Sequence, residues 1–190
     1  MKVLVTGGAG FIGSHFVEWL LANNHEVSVI DEFNDFYNPQ IKRLNLAAVS
    51  NRITLHEADI RDADAMLSIV KNGGFDAIVH LAARAGVRPS IKQPKLYIDT
   101  NIVGTFNLLE AARQVGIGRF ICASSSSVYG VLKTTPFRED MALTATISPY
   151  AATKLAGAAG TKGSADPAVA DQLLGKIEEI SKIFWETKQA

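Results

Sequence analysis

Short apolar runs alternate along the chain with longer stretches in which apolar residues recur every three to four positions. Val3–Val5, Glu26–Ile30, Arg52–His56, Asp76–Leu81 and Arg119–Ala123 have strand length, and the second run ends at Asp31. Between the first two, Phe11–Leu21 places Ile12, Phe16 and Leu20 at i, i+4 and i+8, which predicts a helix. A helix is also predicted around Asp62–Val70. A long one is predicted over Leu96–Arg113, with Ile102, Phe106 and Leu109 on one face. Strands that alternate with helices predict an α/β fold, a doubly wound parallel sheet of the Rossmann kind with right-handed crossovers.

The pattern changes near Gly157. Residues 156–170 hold six alanines and three glycines, with Pro167 near the end, and read as a flexible connection or a frayed helix end. Val169, Leu173, Ile177, Ile180 and Phe184 then recur at spacings of 4, 4, 3 and 4 and predict a closing amphipathic helix. The chain is therefore expected to divide into a dinucleotide-binding domain, 1–157, and an atypical linker and amphipathic helix, 158–190.

Of the 190 residues, 47% are hydrophobic and 20% charged, with 19 Lys plus Arg against 19 Asp plus Glu. This composition predicts one globular domain and gives no electrostatic reason to expect nucleic acid or an anionic membrane surface. The glycines at 7, 8, 10 and 13 interrupt any N-terminal apolar run, so no targeting segment or membrane span is expected. Cys122 is the one cysteine, which excludes an internal disulfide and suits a reducing, cytoplasmic setting. On its apolar strand it reads as a small core residue. His15, His25, His56 and His80 are scattered without ligand spacing, so no metal site is expected.

The candidate chemistry begins directly after the first predicted strand. Thr6-Gly7-Gly8-Ala9-Gly10-Phe11-Ile12-Gly13 leads from strand to helix. Gly7 permits a tight turn, Gly10 lets backbone approach a pyrophosphate, and Gly13 lets the helix pack close to the sheet. The helix N-terminus then offers N–H groups and a positive dipole end to phosphate. Asp31, at the end of the second strand, can accept from both ribose hydroxyls and would repel a 2′-phosphate, so NAD is favoured over NADP. Tyr150 and Lys154 stand four apart. If Pro149 begins a helix, they share one face, and an ammonium near the phenol favours the phenolate, a usable general base. Ser124–Ser127 follows the fifth strand, where open α/β sheets bind ligands, and a hydroxyl there can hold the oxygen whose proton Tyr150 takes. Arg88 is a candidate for a substrate carboxylate or phosphate.

TGGAGFIGSH, VSVIDEFNDFYNP, ADIRD, HLAARAGVRPSI, TNIVGTFNLLEAAR, ASSSSVYG and SPYAATKLAG occur in unbroken order over residues 1 to about 157. Together they resemble the extended short-chain dehydrogenase/reductases, in the nucleotide-sugar epimerase and dehydratase branch, nearest to UDP-glucuronate 4-epimerases. The resemblance implies that Gly7, Gly10, Phe11, Ile12 and Gly13 contact the pyrophosphate. It puts Asp31 and Asn34 near the adenosine ribose, and Asp59 and Ile60 beside adenine. Leu81, Ala82 and Ala83, with Asn101 nearby, would line the path to the nicotinamide. Ser125, four before Tyr129 and 25 before Tyr150, matches the family's catalytic Ser or Thr, and Ser126 adjoins it on the substrate side. Tyr150 would be the base, and Lys154 its partner and a holder of the nicotinamide ribose. The implied reaction is transient oxidation at C4 of a UDP-sugar. The family's dehydratases carry Asp-Glu where this chain has Ser126-Ser127, which argues for epimerisation.

The family pattern stops at Gly157. Relatives continue with further strands and a substrate domain, whereas 33 residues follow here and show no strand pattern. The chain thus reads as an epimerase completed by another subunit or by a small site, as an NAD-binding module, or as a truncated or recombined form. The closing helix is expected to cover the open sheet edge or to mediate a homo-oligomer.

Overall fold

The computed structural model describes residues 1–160 apart from 133, 134, 139, 142 and 144. The predicted closing helix and its proposed covering or oligomerising role lie outside the described residues. Five strands, β1 (Lys2–Thr6), β2 (Glu26–Asp31), β3 (Ile53–Glu57), β4 (Ala77–His80) and β5 (Phe120–Cys122), form one sheet in the order β3-β2-β1-β4-β5. Every pairing is parallel. The chain therefore builds outward from β1 through β2 to β3, then crosses back to add β4 and β5. The order reverses between β1 and β4, and in open α/β sheets ligands bind beyond the strand C-termini at such a reversal.

Among the described residues seven helices flank the sheet: α1 (Phe11–Ala22), α2 (Pro39–Ala47), α3 (Ala63–Gly73), α4 (Val87–Lys92), α5 (Pro94–Ile98), α6 (Gly104–Val115) and α7 (Pro149–Gly160). The central strands read as unbroken apolar runs because both faces are covered. On one face Val3 and Val5 pack with Phe16, Val17 and Leu20 of α1. On the other, Leu4 and Ile78 pack with Met66 and Val70 of α3 and Leu108 of α6. Each fully buried Leu, Val or Phe in these layers stabilises the fold by roughly 1.5–3 kcal/mol. No helix among the described residues is long and apolar enough to cross a membrane.

The predicted continuous helix over Leu96–Arg113 is interrupted. Asp99–Val103 forms a π-turn between α5 and α6. The predicted face is not the buried one: Phe106 is 62% exposed, while Thr105, Leu108, Ala111 and Ala112 are buried. On the buried face Thr105 meets His80, with Oγ1 2.9 Å from Nε2. Helix α2 was not predicted. Asn38 caps it by accepting from the Gln40 N–H at 3.0 Å, and Pro39 opens it. Only Lys42 and Leu46 are buried along it, so no apolar stripe announced it. Helix α7 starts at Pro149, as the Tyr150–Lys154 reading required, and runs past Gly157 to Gly160.

Candidate active site

The turn after β1 is built by close backbone approach. Gly7 has φ +68° and donates its N–H to Ile30 O at 2.7 Å; a Cβ there would lie 2.7 Å from the Ala82 nitrogen. A Cβ on Gly13 would lie 2.2 Å from Gly7 O, so α1 seats on the turn only because none is present. Gly10 is the N-cap of α1 and has no side chain to accept the first-turn N–H groups. The helix end thus faces outward as an anion-binding surface.

Beside this turn, Asp31 is 7% exposed. Its carboxylate accepts from the Ala9 N–H at 3.2 Å and the Phe33 N–H at 3.0 Å, and Lys42 Nζ stands 3.6 Å away. Phe33 adopts φ 48°, in the left-handed region, which a buried aromatic residue enters only under constraint. That bend brings its N–H onto Asp31 and opens the loop toward Asn34. Lys42 also donates to Asn34 Oδ1 at 3.1 Å and lies 5.1 Å from the Tyr37 ring centroid, while Asn34 Nδ2 donates to Glu32.

One cleft at the C-terminal ends of β1, β2 and β4 gathers Gly7, Gly10, Asp31 and Asn34 from the first two strands' loops. Ile60, Leu81, Ala82 and Ala83 line its opposite side. Phe36, Tyr37, Lys42 and Thr100, which no sequence pattern singled out, also line it. Asp59 instead pairs with Arg61, whose Nε donates to Oδ2 at 2.7 Å. Burial raises the Asp59 pKa, but the bonds from Arg61 outweigh this and hold it below its ordinary value. Phe11 is exposed, and Ile12, in the first turn of α1, packs on the core. Asn101 is buried and pinned: its Oδ1 accepts from the Arg84 N–H at 2.7 Å, and its Nδ2 donates to Arg84 O and to Thr153 Oγ1.

Two buried polar atoms lack a partner among the described residues: Thr100 Oγ1, which lines this cleft, and Arg84 Nε, behind Glu32 and Phe36 of its wall. Buried polar atoms are ordinarily satisfied. The Arg84 guanidinium lies 4.0 Å from Glu32 and over the Phe36 ring. Orphaned donors, an open helix N-terminus and a fixed carboxylate at the strand ends fit a dinucleotide laid across the β1–β4 reversal.

The second half of the site stands on α7. Ser148 Oγ accepts from the Ala151 N–H at 3.1 Å, and the fully buried Ser90 accepts from the Tyr150 N–H at 3.1 Å. Two of the orphan N–H groups of the helix end are thereby satisfied. Ser148→Ala is expected to destabilise the chain by about 1 kcal/mol, read by urea denaturation. Tyr150 packs edge-on against Tyr97 at 6.3 Å, and Tyr97 is anchored by donation to Ala85 O. Lys154, 9% exposed, donates to Ala123 O at 2.8 Å beyond β5, and burial lowers its pKa. Ser125 caps the short turn Ser126–Tyr129; its Oγ accepts from the Ser127 N–H and hydroxyl, leaving its own O–H as a donor. Ser126 and Arg88 are exposed. Ser125, Tyr150 and Lys154 are not among the residues lining the cleft just described.

His80 lies beneath both halves, and burial, followed by the charge of Lys154, lowers its pKa to about 3. The folded value lies below the ordinary 6.5, so the unfolded chain binds the proton first and stability falls as pH drops through 6.5 toward 3. The His80 contribution to this loss is expected to be on the order of 3 kcal/mol between pH 7 and 4. Denaturation of the wild type and of His80→Gln at both pH values checks it: the variant should lose less.

The family model described as GDP-mannose 4,6 dehydratase matches residues 4–163. UDP-glucuronate 4-epimerase of Thermodesulfobacterium geofontis (strain OPF15) is 42% identical over 153 residues, covering 80% of this chain and 47% of that protein. Among solved structures, UDP-glucuronic acid 4-epimerase from Bacillus cereus in complex with UDP-glucuronic acid and NAD is similar with TM-score 0.75 and 38% identity, over 84% of this chain and 51% of the other. DesIV, a dTDP-glucose 4,6-dehydratase from Streptomyces venezuelae with NAD bound, gives TM-score 0.75 and 39% identity over 84% and 50%. The chain spans about half the length of these relatives. With the model matched over most of its residues, the chain belongs to the GDP-mannose 4,6 dehydratase family of short-chain dehydrogenase/reductases.

Proposed function

We propose that residues 1–157 are the NAD-binding half of a nucleotide-sugar 4-epimerase of the UDP-glucuronate kind. The observation that carries this reading is the Asp31 carboxylate, fixed by Ala9, Phe33 and Lys42 at the mouth of the glycine cradle. Asp31 would take the ribose hydroxyls, Gly7, Gly10 and the start of α1 the pyrophosphate, and Thr100 and Arg84 would gain the partners they lack. NAD, when bound, supplies the hydride acceptor and donor at the sugar C4. Tyr150 takes the proton of the 4-hydroxyl and returns it after the sugar has turned. Ser125 donates its free O–H to the same oxygen, and Lys154 holds positive charge beside the phenol.

The dehydratase alternative is supported by the likeness to DesIV, but elimination of water needs further acid and base groups. In this chain 124–127 are all serine, and Ser127 is engaged with Ser125. The test is to incubate the NAD-supplied chain with UDP-glucuronate and follow UDP-galacturonate by proton NMR. Product that vanishes in Tyr150→Phe supports the epimerase. NAD binding without product marks a cofactor-binding module, and failure to bind NAD contradicts both.

A further inference from the structure

A buried hydrogen-bond chain crosses the molecule between the two halves of the site. The Ala82 N–H donates to Thr6 Oγ1 at 3.2 Å, and Thr6 Oγ1 lies 2.6 Å from His80 Nδ1. His80 Nε2 lies 2.9 Å from Thr105 Oγ1, which donates to Asn101 O at 2.7 Å. The Asn101 side chain then donates to Thr153 Oγ1 at 3.1 Å, and Thr153 donates to Tyr150 O at 2.8 Å. Thr6, His80, Thr105, Asn101 and Thr153 are each at most 5% exposed. The path begins at the cleft wall, passes under the sheet and through the π-turn, and ends on the helix that carries Tyr150 and Lys154.

Counting donors and acceptors points to one placement of the hydrogens along this path. The one hydrogen of Thr105 goes to Asn101 O, so Thr105 must accept from His80, and the proton of His80 sits on Nε2. His80 Nδ1 is then an acceptor, and the Thr6 hydroxyl, which already accepts from Ala82, donates to it. The opposite tautomer would turn the Thr105 hydrogen back toward His80 and strip Asn101 O of its donor. A doubly protonated ring would face the Thr6 hydrogen with a second donor.

We propose that His80, held as the Nε2–H tautomer, is a positioning residue: through Thr105 and the π-turn it seats α7 and so sets where Tyr150 and Lys154 stand relative to the cleft. This rests on the reading that Tyr150 and Lys154 are the reacting pair. It also accounts for the π-turn, which brings the Asn101 carbonyl onto Thr105 while its side chain reaches α7. It accounts as well for a threonine on the buried face of α6.

The test needs no cofactor, so it stands whether or not the chain binds NAD. Nitrogen-15 NMR of histidine-labelled protein should show His80 with its proton on Nε2 alone; a proton on Nδ1 overturns the proposal. Lys154, labelled at its ammonium, should titrate below an ordinary lysine in the wild type. Thr105→Val removes the hydroxyl at nearly constant volume. It should raise the Lys154 midpoint by about one pH unit, a tenfold change in proton affinity, as α7 loosens and the ammonium gains water. His80→Leu, which removes the donor toward Thr105, should raise the Lys154 midpoint in the same direction; an unchanged midpoint in the folded variant overturns the proposal. A purely structural role for Thr105 would lower the melting temperature and leave the Lys154 titration of the folded protein unchanged. That result, or failure of Thr105→Val to fold at all, overturns the proposal.

Discussion

Asp31→Ala is expected to abolish NAD binding and, separately, to destabilise the fold by about 3–5 kcal/mol. The two losses have different causes. Binding goes because the ribose hydroxyls lose a charged acceptor already oriented by two backbone N–H groups. Stability goes because Lys42, as buried as Asp31, is left with a charge that, among the described residues, only the Asn34 side-chain oxygen faces at bonding distance. A buried charge without its counter-ion is far less favourable than the intact pair, whereas removing both partners is often neutral. Asp31→Ala/Lys42→Met should therefore recover most of the lost stability in urea denaturation while still failing to bind NAD in calorimetry. If the double variant is as unstable as the single one, the ion pair is not what Asp31 contributes to the fold.

The second large effect is expected at Gly13. Gly13→Ala places a methyl 2.2 Å from Gly7 O and 2.7 Å from Gly8 Cα, both backbone atoms that cannot rotate away. Overpacking of this kind destabilises by about 1–3 kcal/mol, which in a domain of this size lowers the melting temperature by roughly 2–4 °C per kcal/mol. The displaced turn also carries Gly7, so the cofactor cleft deforms with it. Gly10→Ala is the contrasting case. Its Cβ would meet Gly7 O at 3.2 Å and the Tyr37 hydroxyl at 3.8 Å, so it fills cleft space with little backbone conflict. Gly10→Ala should keep its melting temperature within a few degrees of the wild type and weaken NAD at least tenfold. Gly13→Ala should lose both. Equal melting temperatures for the two variants would contradict the packing argument.

The contrast between these glycines shows what the sequence carries and what it does not. The central strands β1, β2 and β4 were legible because strands covered on both faces are written as largely apolar runs rich in Val and Ile. The glycine spacing, Asp31 and the Tyr150–Lys154 pair were legible because each chemistry needs a residue type at a fixed offset. Helix α2 escaped because it buries one lysine and one leucine, although Asn38-Pro39 carried a cap signal that could have been read. The buried face of α6 was misread because it is lined mainly by small residues, Gly104, Thr105, Ala111 and Ala112, whose hydropathy signal is weaker than that of the exposed Phe106. Lys42, Thr100 and Arg84 gave no signal, since their place at the cleft depends on how loops fold over the strand ends rather than on any local pattern. His80 read as a scattered histidine, and its role emerges only when β1, β4 and α6 are brought together.

The central claim is that the cleft at the β1–β4 reversal is built for NAD, with Asp31 selecting the unphosphorylated ribose. Calorimetric titration of the purified chain with NAD, and in parallel with NADP, tests it most directly. The account predicts saturable one-to-one binding of NAD and at least tenfold weaker binding of NADP. No binding of NAD, or NADP bound as tightly as NAD, would contradict it.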